Sequence, residues 1–174
     1  GIAAERVVHV PQLEPDADAA GLPEPDGGGP LHGLPERFVV YVGRLSAEKG
    51  VGVLIDAVSR VPDVPLVVFG EGPDQARLAG LVSPAARVQF AGHASRPVLA
   101  AAMRRAIALV LPALWPENAP MAVLEAAAAG VPVIVSDMGG LPELAARVGG
   151  RVVPAGDAAA LAAAIREAWV DPDA

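Results

Sequence analysis

Cysteine is absent from the sequence of 174 residues, which excludes both a disulfide framework and a metal site built on thiolates. Aromatic residues are also scarce, at 3% of a chain that is 53% hydrophobic. Any core must therefore be aliphatic, made of valine, leucine, isoleucine and alanine. The length suits one domain and is sufficient for such a core.

Basic residues are few. Lysine and arginine number 13, against 20 aspartates and glutamates, and the formal net charge is −7. Because nucleic-acid binding needs a basic face, we expect no nucleic-acid partner. A small basic pocket for one phosphorylated ligand stays compatible with this composition.

Long apolar runs are lacking too. A membrane-spanning helix needs about 18 apolar residues, and the nearest candidate, residues 106–115, is interrupted by Pro112. The N-terminus has neither the basic nor the apolar part of a signal peptide. We therefore expect a cytoplasmic protein without a transmembrane segment, which also fits the absence of cysteine. Peripheral contact of the intact protein with a membrane stays open.

The first 36 residues differ from the rest of the chain. The run Arg6–Val10 predicts a short strand, and the segment after it is rich in proline and has three consecutive glycines at residues 27–29. That composition is typical of a linker. We therefore divide the chain into an N-terminal strand and linker, residues 1–36, and a folded domain, residues 37–174.

From Phe38 onward, short apolar runs alternate with helical patterns. Each run is apolar throughout, as buried parallel strands are. Between the runs, apolar residues recur with helical spacing, and Ser46, Ser95 and Asp157 stand at expected N-cap positions. The pattern predicts an α/β fold, a single Rossmann-like, doubly wound domain with a six-stranded, mainly parallel sheet. The predicted strands are residues 38–42, 66–69, 88–90, 108–111, 133–135 and 151–153.

The loop after the first predicted strand contains Gly43, Arg44 and Lys49. Sheets of this class bind ligands at the carboxyl ends of their strands. Gly43 permits a tight turn, and we place Lys49 in the first turn of the next helix, where a cation opposes the helix dipole. Two cations at this edge are suited to clamp a pyrophosphate. The alternative is that Lys49 pairs with Glu48 and Arg44 is simply solvated.

The loop after the fourth predicted strand has a glutamate on either side of a helix start. Pro120 suits the first position of a helix that we extend to Ala129, and the free N–H groups there form an anion site. Glu117 precedes this helix, and Glu125 lies within it among apolar residues. A buried carboxylate needs hydrogen-bond donors, which sugar and ribose hydroxyls supply. The alternatives are a polar turn residue for Glu117 and an exposed stripe for Glu125.

Other ligand motifs are missing. The glycines fit neither GxGxxG nor GxxxxGK[ST], and Gly70-Glu71-Gly72-Pro73 is interpreted as a tight turn before a helix. Histidines and acidic residues form no cluster with metal-ligand spacing, so we predict no metal site.

Several segments occur together in a characteristic order. They are YVGRLSAEKG at residues 41–50, the E-x7-E pair Glu117 and Glu125, GVPVIVSD at residues 130–137 and GGLPE at residues 139–143. Over residues 37–170 the chain thereby resembles the donor domain of family-4 retaining glycosyltransferases of the GT-B fold. It departs from that pattern after the first glutamate, where many members have Gly-Phe-Gly and this chain has residues Asn118 to Pro120.

The resemblance implies a role for each motif. Arg44 and Lys49 would hold the donor pyrophosphate and Glu117 the hydroxyls of the transferred sugar, and these three form the predicted catalytic set. Glu125 would hold the ribose, and His93 would lie near the base. The remaining predicted donor-binding residues are Gly43, the backbone N–H groups of Asn118, Ala119 and Met121, and a pocket wall at Gly139 and Gly140.

The resemblance also implies the reaction, which is transfer of a sugar from a nucleotide sugar of the UDP, GDP or ADP type, with retention of configuration. No cofactor or divalent metal would be required. Members of the family have two facing domains, and the acceptor, a sugar, lipid or polymer, binds mainly to the N-terminal one. We expect this chain to be one half of a GT-B enzyme that lacks the acceptor domain and is inactive by itself.

Other functions remain open at this point. One is a non-catalytic nucleotide-binding or sensor module, and another is a different GT-B enzyme. The E-x7-E spacing favours a transferase over a sugar-nucleotide epimerase, and a phosphorylase would need a lysine-bound pyridoxal cofactor for which the sequence has no site. A receiver-type domain would need an acidic cluster at the end of the first strand, which Asp56, Asp63, Asp74 and Asp137 do not form.

Overall fold

A computed structural model describes residues 31, 33–118 and 120–171. Six strands form one sheet, and every neighbouring pair is parallel. The predicted strand at Arg6–Val10 and most of the predicted linker lie outside the described residues. The strands are β1 (Phe38–Val42), β2 (Leu66–Phe69), β3 (Val88–Gly92), β4 (Ala106–Leu111), β5 (Val133–Ser136) and β6 (Arg151–Val153).

Six helices connect and cover the strands. The chain runs outward from β1 to β3 and then returns to continue from β4 to β6, and since parallel crossovers are right-handed, the helices between strands of the two halves lie on opposite faces. The last helix, which follows β6, packs against the first one. The fold prediction of a doubly wound α/β domain is confirmed. The helices are α1 (Val51–Ser59), α2 (Gln75–Leu81), α3 (Arg96–Arg105), α4 (Met121–Ala128), α5 (Leu141–Val148) and α6 (Ala158–Val170).

The core is centred on the sheet and mainly aliphatic, as the composition predicts, but it also contains Phe38, Tyr41 and Phe69. All residues of β2 and β5 are buried, and in β1 only Val42 is partly exposed. β3, β4 and β5 are each longer than predicted, because pairing with the neighbouring strand continues through Gly92, Ala106 and Ser136. None of the helices in the described part of the chain is long and apolar enough to span a membrane.

The strand order β3-β2-β1-β4-β5-β6 places β1 and β4 side by side at the centre. The chain leaves these two strands in opposite directions, toward β2 on one side and toward β5 on the other. Such a topological switch point is where open α/β sheets bind ligands. A ligand is therefore expected beside the loops that follow β1 and β4. We term residues 43–50 the cation loop and residues 112–118 the glutamate loop.

Two helix starts differ from their prediction. Lys49 belongs to a separate 3-10 turn, Ala47–Lys49, and α1 begins only after Gly50, which has the left-handed φ of 69°. Pro120 has an extended ψ of 128° and is the N-cap of α4 rather than its first residue. The predicted place of Lys49 in the first turn of α1 is therefore wrong, since the lysine precedes that helix.

Only one of the three predicted N-cap side chains caps its helix. Asp157 accepts hydrogen bonds from the backbone N–H groups of Ala159 and Ala160 at 3.0 and 2.9 Å. Ser46 and Ser95 stand at N-cap positions without such a bond. Ser46 instead donates to Glu48 at 2.6 Å, and this bond is the main cause that lowers the pKa of the Glu48 carboxyl.

Replacing Asp157 by alanine should lower the free energy of unfolding by about 1 kcal/mol, because two N–H groups of α6 lose their acceptor. A shift of roughly 2–4 °C in the midpoint of thermal unfolding is expected. Asp171→Ala, at the other end of α6, removes the same charge and should leave stability unchanged or slightly raise it. Equal effects of the two substitutions would show that net charge, not capping, decides the outcome.

Candidate functional site

The cation loop and the glutamate loop are joined by an ion pair. Lys49 Nζ donates to Glu117 Oε1, although the two residues are 68 positions apart in the sequence. The side chains are 29% and 18% exposed, so the pair is partly buried but still open to a ligand. The alternative in which Lys49 pairs with Glu48 is wrong, and two residues of the predicted catalytic set are in direct contact.

The backbones of the two loops also pack tightly. The N–H of Leu114 donates to the carbonyl of Glu48 at 2.8 Å. Gly50 is buried against the same loop, and a Cβ added there would overlap the carbonyl oxygen of Pro112. Ser136 fastens the glutamate loop from below by donating to the carbonyl of Ala113 at 2.6 Å. These backbone contacts therefore hold the two loops that carry Lys49 and Glu117 in a fixed relative position.

A third loop, after β5, adds to the same edge. Glu117 forms a parallel bridge with Gly139, and the N–H of Gly140 donates to the carbonyl of Glu117 at 2.6 Å. A Cβ on Gly139 would lie 2.5 Å from the carbonyl oxygen of Glu117, and one on Gly140 would overlap that of Asn118. These glycines thus permit the close backbone approach that fixes Glu117.

The turn after β2 supports the cation loop. Gly70 approaches the backbone of Gly43, and Gly72 approaches that of Leu45, so closely that an added Cβ would overlap the carbonyl oxygen in both places. The N–H of Leu45 donates to the carbonyl of Glu71 at 2.9 Å. The turn predicted at residues 70–73 is present and precedes α2, but the sequence did not indicate that it supports the neighbouring loop.

Glu125 has a partner that the sequence analysis missed. It is the fifth residue of α4 and pairs with Arg96, at the start of α3, with Nη2 and Oε1 at 3.3 Å. Glu125 is 28% exposed and Arg96 77% exposed, so the carboxylate is oriented but not closed off. No local spacing signals this pair, because its members are 29 residues apart on two helices.

The other predicted residues occupy varied positions. Arg44 is exposed in the cation loop, and its backbone carbonyl accepts a hydrogen bond from the Tyr41 hydroxyl at 2.9 Å. Asn118 and His93 are exposed, and Met121 is half-buried at the start of α4. Ala119 lies outside the described residues. Over residues 33–118 and 120–171, no group of three or more histidines and acidic residues is arranged to hold a metal ion.

The arrangement is suited to an anion flanked by hydroxyl groups. Lys49 supplies positive charge at Glu117, which shortly precedes α4, and Arg44 lies in the same loop as Lys49. The first backbone N–H groups of a helix lack acceptors within the helix and add partial positive charge. Glu117 and Glu125 supply carboxylates, which accept hydrogen bonds from hydroxyls. A phosphorylated polyol has both kinds of group.

Comparison with known proteins identifies the family. The family described as "Glycosyl transferases group 1" matches residues 30–174, which is most of the chain. The chain therefore belongs to the group 1 glycosyltransferases. Its sheet and helices are those of a GT-B donor domain, as the sequence resemblance implies.

Individual relatives support the same assignment. The chain is 39% identical over 148 residues to glycogen synthase of Mycobacterium tuberculosis, a match that covers 78% of this chain and 34% of that protein. It is 36% identical to phosphatidyl-myo-inositol mannosyltransferase of Mycobacterium leprae, covering 78% of this chain and 38% of that protein. The structure of Anabaena HepE in complex with UDP and glucose superimposes with a TM-score of 0.71 at 27% identity, covering 78% of this chain and 39% of HepE. The chain thus spans little more than a third of each relative.

Proposed function

We propose that this chain is the donor-binding domain of a family-4 glycosyltransferase that transfers a hexose from a nucleotide sugar with retention of configuration. The observation on which the proposal rests is the contact between Lys49 and Glu117 at the switch point. It brings a phosphate-binding cation and a hydroxyl-binding carboxylate to one place. The complex of HepE with UDP and glucose, and the sugar-transferring relatives, support a ligand of this kind.

The pyrophosphate is assigned to the cation loop. Arg44 offers a planar fork with several donors, and Lys49 offers a compact charge. When the donor binds, Lys49 turns from Glu117 toward the phosphate oxygens, and the freed carboxylate accepts hydrogen bonds from the sugar. The ion pair thus keeps both groups in place and neutral as a pair before the ligand arrives.

The nucleoside is assigned to the region around Glu125. Its carboxylate accepts hydrogen bonds from the ribose hydroxyls, and Arg96 holds it in position from the start of α3. The loop between β3 and α3, which includes His93, lies near the base. Backbone N–H groups at residues 118, 119 and 121, with Gly43, Gly139 and Gly140, complete the proposed donor contacts.

The contribution of this domain to catalysis in the intact enzyme is electrostatic. As the bond between sugar and phosphate breaks, negative charge grows on the departing nucleoside diphosphate, and fixed cations stabilise it most where water is excluded. We assign this role to Arg44 and Lys49, so the proposal requires neither a divalent metal nor another cofactor. The acceptor is held by a second, N-terminal domain of the intact cytoplasmic enzyme.

The assignment of Glu125 is tested by comparing nucleotides with and without ribose hydroxyls. The wild-type chain should bind one of UDP, GDP and ADP more tightly than its 2′,3′-dideoxy analogue, by roughly 10- to 150-fold, since a hydrogen bond to a charged group is worth about 1.5–3 kcal/mol. Glu125→Gln should remove most of this difference. Titration calorimetry measures both affinities.

The matched control is Asp56→Asn, which also removes a carboxylate paired with an arginine, on the exposed surface of α1. It should leave the preference for ribose intact. If Glu125→Gln and Asp56→Asn behave alike, the ribose is bound elsewhere and the assignment of Glu125 is wrong.

A further inference from the structure

Tyr41 lies directly beneath the cation loop. It is the fourth residue of β1, its side chain is almost fully buried, and its hydroxyl donates to the carbonyl of Arg44 at 2.9 Å. A Cβ added to Gly43 would lie 2.8 Å from the hydroxyl oxygen, so the glycine is what allows the loop to pass over it. The tyrosine therefore contacts the loop at the residue whose side chain we assign to the pyrophosphate.

The hydroxyl holds this loop at Arg44, between two residues that are held by other contacts. On either side of Arg44, the N–H of Gly43 donates to Phe69 at 3.0 Å and the N–H of Leu45 donates to Glu71 at 2.9 Å. Both neighbours are thereby fastened to the end of β2 and the turn after it. The bond from Tyr41 sets the direction of the Arg44 carbonyl, and with it the backbone angles that aim the arginine side chain.

Space filling alone does not account for a tyrosine here. A phenylalanine would occupy nearly the same volume and would avoid burying a hydroxyl, which costs free energy unless the group is hydrogen-bonded. Burial is the main cause that raises the pKa of this hydroxyl well above its ordinary value, and the carboxylates of Glu117 and Glu48 raise it further. The group is therefore a permanent donor close to the charged residues of the site.

We propose that Tyr41 is a positioning residue for donor binding, which acts by holding the Arg44 backbone so that the guanidinium faces the pyrophosphate. The inference rests on the proposed function. Tyr41 is thereby added to the residues that determine donor affinity, although it contacts no ligand itself and acts only through Arg44. Tyr41→Phe should leave the fold intact but make the backbone of the cation loop more mobile at Arg44.

The first test separates phosphate binding from nucleoside binding. In Tyr41→Phe, affinity for the preferred nucleoside diphosphate should fall about 3- to 10-fold, the effect of one lost hydrogen bond, while affinity for the matching nucleoside should not change. Phe38→Leu perturbs the buried start of the same strand and should lower stability without changing the ratio of the two affinities. If the role of Tyr41 is purely structural, Tyr41→Phe will also leave the ratio of diphosphate affinity to nucleoside affinity unchanged, and the inference is then wrong.

The second test is a double-mutant cycle with Arg44→Ala. If Tyr41 acts through Arg44, Tyr41→Phe should have almost no further effect on diphosphate affinity once the arginine side chain is gone. An undiminished loss in the Arg44→Ala background would overturn the inference but not the proposed function. Failure of the wild-type chain to bind UDP, GDP or ADP would reject the proposed function, and the inference with it.

Discussion

Lys49→Ala should weaken the binding of the preferred nucleoside diphosphate by roughly 10- to 150-fold. The substitution removes a charge-assisted contact worth about 1.5–3 kcal/mol. It also leaves the Glu117 carboxylate without its partner, facing the incoming phosphates, so repulsion adds to the loss. Titration calorimetry at fixed ionic strength measures the change, and higher salt should narrow the gap between wild type and variant.

The control for this substitution is Arg60→Ala. Arg60 is an exposed cation at the end of α1 that pairs with Asp56, so its removal changes the net charge by the same amount far from the proposed contacts. Affinity should then remain within about twofold of wild type, because exposed charges are strongly screened. An equal loss in both variants would mean that the overall field of the protein, and not the cation loop, attracts the nucleotide.

Gly50→Ala should lower the free energy of unfolding by about 2–5 kcal/mol. Gly50 has a φ of 69°, which costs a residue with a Cβ about 1–2 kcal/mol. The new methyl group would also overlap the carbonyl oxygen of Pro112, and overpacking of this kind typically costs about 1–3 kcal/mol. Denaturant unfolding gives the change, and nucleotide binding should weaken as well because the cation and glutamate loops are forced apart.

Two other glycines separate the causes of this effect. Gly130 has a nearly identical φ of 70° but nothing within 4 Å of an added Cβ, so Gly130→Ala measures the cost of the left-handed backbone alone. Gly80 lies within α2 with open space around it, and Gly80→Ala should be stabilising by about 0.4–1 kcal/mol. If Gly50→Ala lowers the free energy of unfolding no more than Gly130→Ala does, the contact of Gly50 with Pro112 does not hold the cation loop and the glutamate loop together.

Much of the fold could be predicted because the sequence pattern is consistent at several levels. Buried parallel strands are apolar throughout, and three of the six predicted strands, such as Phe38–Val42, have the predicted bounds. The rule that ligands bind at the carboxyl ends of strands singled out the loops containing Lys49 and Glu117, which the structure brings into contact.

The contacts that complete the site could not be predicted in this way. Arg96 and Glu125 belong to different helices, and nothing in the spacing of their residues signals that they meet. Tyr41 resembles any other buried strand residue until its hydroxyl is seen to reach Arg44. The prediction that Lys49 lies in the first turn of α1 was wrong because Gly50 ends the preceding 3-10 turn with a left-handed backbone. The close contact of Gly50 with Pro112 of the glutamate loop, which admits only a glycine, is not visible in the sequence.

The most direct test of the donor site is a crystal of this chain soaked with an equimolar mixture of UDP-, GDP- and ADP-hexoses. We expect one bound nucleotide sugar at the carboxyl ends of β1 and β4. Its pyrophosphate should lie between Arg44 and Lys49, its hexose against Glu117 and its ribose on Glu125. A nucleotide sugar bound at another surface, with the Lys49–Glu117 pair still closed, would contradict the account.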